Sequence, residues 1–79
     1  MAYLKAEESQ AWLRVQLDLT GIRTLDNLAR VTGIHKGTLS KYFSQKQRPT
    51  VDVVAVLCRA LQLSPSEVLY GLGAIDETL

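Results

Sequence analysis

The feature that most constrains this chain is a very short connection, centred on Gly33 and Ile34, between two helical patterns. The pattern before it predicts a helix over about residues 24–32, and the pattern after it predicts a second helix over about residues 35–44. So few residues cannot join two long antiparallel helices, but they can join two short helices at a steep angle. Glycine accepts the positive φ of such a turn. The two helices are therefore expected to cross sharply.

Three further helices are predicted, over about residues 4–19, 51–63 and 65–70. No window shows the strict alternation of apolar and polar residues that indicates a half-buried strand. A length of 79 residues is enough for one domain only. The fold class expected is all-α: a single domain, residues 1–79, folded as a compact five-helix bundle that contains a helix-turn-helix.

Length and residue types exclude several functional classes. A chain this short buries only about 60 to 65 % of its unfolded surface, which leaves no room for a deep catalytic cleft. The single cysteine, Cys58, can form no internal disulfide, and no Cys and His residues have zinc-site spacing. The only histidine, His35, has no nucleophile or second carboxylate to work with. We therefore expect no enzyme, no metal and no cofactor.

The first residues do not have the pattern of a signal peptide, because acids interrupt the apolar residues there. No apolar run approaches the roughly 18 residues of a membrane span. A cytoplasmic protein is the expectation.

Charge is distributed unevenly along a chain whose net charge is only +1. No acid lies between Asp26 and Asp52, although five cations do, so this segment carries +5 and the rest of the chain −4. The cations are Arg30, Lys36, Lys41, Lys46 and Arg48. A single-sign segment inside a nearly neutral protein is typical of a surface that binds phosphate, and the alternative is a solvated basic face without a partner.

The two central helices resemble a known family. Ala29 is a small residue at the expected helix crossing, and the turn residue Gly33 follows it four positions later. Ile34 and Leu39 are apolar residues that can pack the inner side of the second helix against the core. Residues 24–43 are similar to the central helices of the phage-repressor class of helix-turn-helix domains, the lambda repressor, Cro-like or XRE family. The basic residues, proline and capping hydroxyl within 45–50 resemble the loop that follows them, and the whole resemblance covers about residues 10–71.

This resemblance implies a domain that binds operator DNA, usually as a dimer, and regulates transcription. Repression is the role expected for this chain. The major groove is about 12 Å wide and presents guanine O6 and N7 to donors on an inserted helix. The candidates for base contacts are Lys36, Thr38 and Lys41. The candidates for contacts to the DNA backbone are Thr24, His35, Gly37, Ser40, Lys46 and Arg48. For each of them the competing interpretation is a solvated side chain or a purely structural residue.

The same fold could also serve an antitoxin or another protein-interaction module, because fold alone does not decide function. The acid-free segment lies on the face that a helix-turn-helix presents to DNA, and this favours DNA binding.

A homodimer on an inverted repeat is predicted, because one short helix makes too few contacts for tight specific binding. Half-sites should lie roughly 34 Å apart on one face of the duplex. The carboxyl-terminal segment is apolar, and Leu69, Leu72 and Ile75 are the predicted dimer interface. The alternative is that Leu69 and Leu72 close the core of the monomer.

Gln45 stands where the family commonly has a glycine after the recognition helix. A glutamine is expected to strain this turn or to let the helix run on, since a left-handed conformation costs an ordinary residue roughly 1 to 2 kcal/mol. On this reasoning, Gln45→Gly stabilises the fold.

Overall fold

A computed structural model describes residues 3–76, and within this range the chain forms five α-helices and no β-strand. The helices are α1 (Ala6–Thr20), α2 (Leu25–Thr32), α3 (Lys36–Phe43), α4 (Val51–Leu61) and α5 (Pro65–Gly71). The predicted all-α bundle with a helix-turn-helix is confirmed, the latter being formed by α2, the turn at Gly33 and α3.

Hydroxyl caps set the starts of three helices. Thr24 before α2 and Thr50 before α4 each accept a hydrogen bond from the backbone N–H three residues later. Ser64 before α5 does the same, and the Glu67 carboxylate accepts from the Ser64 N–H at 3.0 Å. The backbone and hydroxyl hydrogen bonds from Ser64 lower the pKa of Glu67 below its usual value.

Left-handed residues set several helix ends. Gly33 ends α2 with φ 73°, and Gln62 ends α4 with φ 59°. The predicted extension of α4 to Leu63 is therefore too long by two residues. After α3, Gln45 adopts φ 63°, so that helix does not run on.

The core is a layer of apolar side chains contributed by all five helices. Its fully or almost fully buried members are Leu13, Leu17, Leu28, Leu39, Tyr42, Phe43, Leu57, Leu61, Val68 and Leu72. Trp12 of α1 stacks on Phe43 of α3 with ring centroids 6.2 Å apart. On the far side, the indole of Trp12 lies directly against the backbone of Gly71, where a Cβ would collide with it.

The prediction that Leu72 lies at a dimer surface is wrong, because its side chain is completely buried inside the monomer. The reason is that α5 folds back onto both α4 and α1, so that Val68 and Leu72 fill space left in the core. Leu69 and Ile75 are half-buried.

In the part of the chain that the structure describes, no single helix is long and apolar enough to cross a membrane. Only α4 and α5 together reach the required length and composition, and they are bent by 100°. The same residues bring no three His, Cys, Asp or Glu side chains together where they could hold a metal ion.

Candidate functional site

The amino terminus of α2 is an exposed, capped helix start. The Thr24 hydroxyl accepts from the Asn27 backbone N–H at 3.1 Å. Because the oxygen acts only as acceptor in this bond, the hydroxyl proton can still be donated to an outside acceptor. The predicted role of Thr24 in contacting the DNA backbone is compatible with its role as helix cap.

The amino terminus of α3 is capped by a histidine. His35 Nδ1 accepts from the Gly37 backbone N–H at 3.0 Å. An imidazole that accepts at Nδ1 carries its proton on Nε2, so the other ring nitrogen is a donor. Gly37 leaves space for this arrangement, since a Cβ there would stand 3.2 Å from Nδ1. His35 is therefore a working cap with one outward donor.

An ion pair joins the starts of α2 and α3. Lys36 Nζ lies 3.0 Å from Asp26 Oδ1, and the two side chains are 55 % and 70 % exposed. The sequence places these residues ten positions apart on different predicted helices, so no local pattern indicated that they meet. Lys36, a candidate for base contact, is held by an acid at the edge of the basic segment.

The two sides of α3 differ in chemistry. Leu39, Tyr42 and Phe43 are buried against the rest of the bundle. Ser40 and Lys41 are exposed and Thr38 is half-buried. The structure thus places Lys36, Ser40 and Lys41 on the exposed surface of one short helix, as helical spacing predicts, and leaves the candidate Thr38 half-buried.

A cleft of about 340 Å³ runs beside α3, between α1 and the start of α2. Its apolar floor includes Leu25, and its edges carry Arg14, Arg23 and Ser40. Sequence reasoning missed both arginines, because it concentrated on the acid-free segment and they lie outside it. The signal that could have found Arg23 is its proximity to the capped start of α2, which follows it by two residues, whereas Arg14 lies within α1 and reaches the cleft only through helix packing.

The carboxyl end of α3 is tied into the protein by polar side chains. Gln45 Nε2 donates to the Leu4 carbonyl at 2.7 Å and to the Ser9 hydroxyl at 2.8 Å, and Ser9 is completely buried. These bonds stabilise the left-handed conformation of Gln45. From the sequence, a glutamine was expected only to strain this turn or to let the helix run on. Gln45 is therefore a structural anchor.

Arg48, a candidate for phosphate contact, forms hydrogen bonds with the backbone of the protein itself. Its guanidinium donates to the Leu72 carbonyl at 2.6 Å and to the Gly73 carbonyl at 3.4 Å. Lys46 and Arg48 are both exposed, but only Arg48 has these hydrogen bonds to the rest of the protein.

Comparison with known proteins identifies a family. A family model described as a Cro/C1-type HTH DNA-binding domain matches residues 13–70. Neither the curated proteins nor the solved structures compared with the chain match it. The matched segment contains α2, the turn and α3 whole.

Proposed function

The chain belongs to the family of Cro/C1-type helix-turn-helix DNA-binding domains, and from that premise we propose that it is a sequence-specific regulator of transcription, acting as a repressor. The observation that carries this proposal is the division of α3 into a buried apolar side and an exposed polar side that includes Lys36 and Lys41. A helix with this division can enter the major groove without losing its packing on the bundle.

Base contacts are assigned to the exposed side of α3. Lys36 and Lys41 donate to guanine O6 and N7, and Thr38 contacts a thymine methyl group or a phosphate. Lys41 lies five residues, or about 1.4 helical turns, further along α3 than Lys36, so the two lysines reach different base pairs.

Backbone contacts surround this helix. Thr24 and the backbone N–H groups at the start of α2 bind one phosphate, which the positive end of the helix dipole favours. His35 donates through Nε2, Gly37 allows close approach of the backbone, and Ser40 and Lys46 complete the predicted set. Arg48 joins them only if its guanidinium keeps a donor for phosphate in addition to its internal bonds.

Arg14 and Arg23 extend this footprint. Both guanidinium groups border the cleft beside α3 that Ser40 also borders, and no acid lines it. A phosphate of the DNA strand that passes this side of α3 would meet two cations and a hydroxyl.

Two copies act on an inverted repeat with half-sites roughly 34 Å apart. Of the predicted interface residues, Leu69 and Ile75 keep partly exposed side chains. The dimer contact is therefore assigned to Leu69 and Ile75 of the carboxyl-terminal segment.

Selection of bound sequences from random duplex DNA tests the proposal, followed by titrations of the selected and a scrambled duplex. Lys36→Ala and Lys41→Ala should weaken binding to the selected site by about 1 to 3 kcal/mol and relax the preference there. Lys46→Ala is the matched control and should weaken both duplexes alike, with a salt slope smaller by about one. A protein that enriches no sequence would contradict the proposal and favour a protein-interaction module.

A further inference from the structure

The ion pair between Asp26 and Lys36 connects two helix starts on the proposed DNA-binding surface. Asp26 is the second residue of α2 and Lys36 the first residue of α3. The atoms Oδ1 and Nζ are 3.0 Å apart, and both side chains are more than half exposed. Exposed pairs of this kind contribute little to folding stability, so the fold itself does not explain the contact.

The donor count of lysine suits a shared contact. An ammonium group has three N–H donors, and one of them suffices for the Asp26 carboxylate. Two donors then remain, and guanine presents two acceptors, O6 and N7, in the major groove. We infer that Asp26 is a specificity-determining residue of the proposed DNA interface, which positions Lys36 for a guanine. This inference rests on the proposed function.

The charge of the pair has a second effect. A free Lys36 would attract phosphate on any DNA sequence, because phosphate contacts supply most of non-specific affinity. Paired with Asp26, the ammonium adds little net charge that could attract a phosphate of random DNA. Asp26 therefore lowers the affinity for random DNA, while its positioning of Lys36 favours the preferred site.

Asp52 provides a matched control within the same chain. It is also the second residue of a helix whose cap is a threonine, and it is also exposed. Asp26→Asn and Asp52→Asn remove the same charge from the same position of the first helical turn. Any effect on helix stability is therefore expected to be similar in both variants.

The experiment compares dissociation constants for the selected duplex and for random duplex DNA at several salt concentrations. Asp26→Asn should reduce the ratio of the constant for random DNA to that for the selected duplex roughly tenfold, which is the order of discrimination that a guanine contact carries. Random DNA is bound more tightly because Lys36 is free to contact phosphate, and the selected duplex is bound less tightly because Lys36 is no longer positioned for guanine. The salt slope of this variant on random DNA should steepen by about one, as Lys36 becomes available to phosphate. Asp52→Asn should leave the ratio unchanged.

A second comparison uses the Lys36→Gln variant. In that background Asp26→Asn should leave the ratio unchanged, since no ammonium remains to be positioned. Asp26→Glu keeps the charge but moves the carboxylate, so its ratio should fall between those of the intact protein and Asp26→Asn.

Two outcomes overturn different statements. Equal changes on both duplexes in Asp26→Asn and Asp52→Asn would overturn the role of Asp26 while leaving sequence-specific binding intact. Failure of the intact protein to prefer any duplex would overturn the proposed function.

Discussion

The two ends of α3 are both rich in polar contacts, but the contacts are of different kinds. At the amino end, His35 caps Gly37 two residues away, and Lys36 pairs with Asp26 on the protein surface. At the carboxyl end, Gln45 and Arg48 donate to partners 24 to 41 residues away, in part-buried settings.

This difference indicates which polar residues serve binding and which serve the fold. An exposed contact exchanges readily with water or with a ligand, so it contributes little to stability. Removal of a part-buried donor leaves its acceptor unsatisfied, which costs about 1 to 3 kcal/mol. The amino end of α3 is therefore suited to contact DNA, and the carboxyl end holds the helix on the bundle.

The largest expected effect is at Gly73, which adopts φ 75° beside the Gln45 amide. An added Cβ would collide with Gln45 Nε2 and stand 2.7 Å from the Leu4 carbonyl oxygen. Gly73→Ala should lower the free energy of unfolding by about 3 kcal/mol, from the left-handed conformation and the displaced hydrogen bonds together. Denaturant titration followed by circular dichroism measures this.

Gly21→Ala is the control for that substitution. Gly21 has φ 77°, but nothing lies within 4 Å of its Cβ position. It should cost only about 1 kcal/mol, the conformational part. Equal losses at the two glycines would mean that the contacts around Gln45 contribute nothing.

Arg48 and Lys46 separate the two kinds of contact within one loop. Arg48→Ala should reduce the free energy of unfolding by about 2 kcal/mol, because charged donors to the Leu72 and Gly73 carbonyls are lost. Lys46→Ala should leave stability unchanged and weaken DNA binding at low salt. Melting temperatures and binding titrations of both variants check this. If Arg48→Ala is as stable as the intact protein, Arg48 is better explained as a contact to DNA phosphate.

Gln45→Gly tests the anchor directly. Glycine removes the left-handed cost of roughly 1 to 2 kcal/mol, but the substitution abolishes two hydrogen bonds and leaves Ser9 and the Leu4 carbonyl without this donor. We expect a net loss of about 1 kcal/mol, the opposite sign from the expectation based on sequence. A higher thermal midpoint for the glycine variant would show that strain outweighs the two bonds.

His35 should give the smallest change in stability. His35→Ala removes the cap and should cost about 0.5 kcal/mol, whereas His35→Ser replaces one cap with another and should cost nothing. Both variants lose the Nε2 donor. A weaker affinity for every duplex in His35→Ser, measured beside its unchanged melting temperature, would isolate the phosphate contact from the cap.

Local rules were sufficient for the helices and the turn. The caps Thr24, Thr50 and Ser64 and the turn at Gly33 act over three or four residues, so features of this kind can be predicted from the sequence without knowledge of the packing. The exposed side of α3 followed from helical spacing.

Contacts between distant segments were not accessible in this way. The burial of Leu72, the anchor formed by Gln45 and the pair of Lys36 with Asp26 depend on how the helices pack, and no spacing within one helix indicates them. The error at Leu72 arose because the prediction treated the core as full without the contribution of α5. The expectation for Gln45→Gly took into account the backbone of Gln45 but not the hydrogen bonds of its side chain.

The contact of Gly71 with Trp12 has an evolutionary consequence. The indole contacts both the backbone of α5 at Gly71 and the ring of Phe43, so the side chains at positions 12 and 71 compete for the same space. A larger residue at position 71 can be accommodated only if position 12 becomes smaller, and a smaller ring at position 12 would leave a cavity that a side chain at position 71 could fill. Among descendants of this sequence, these two positions should therefore change together, while either change alone should be rare.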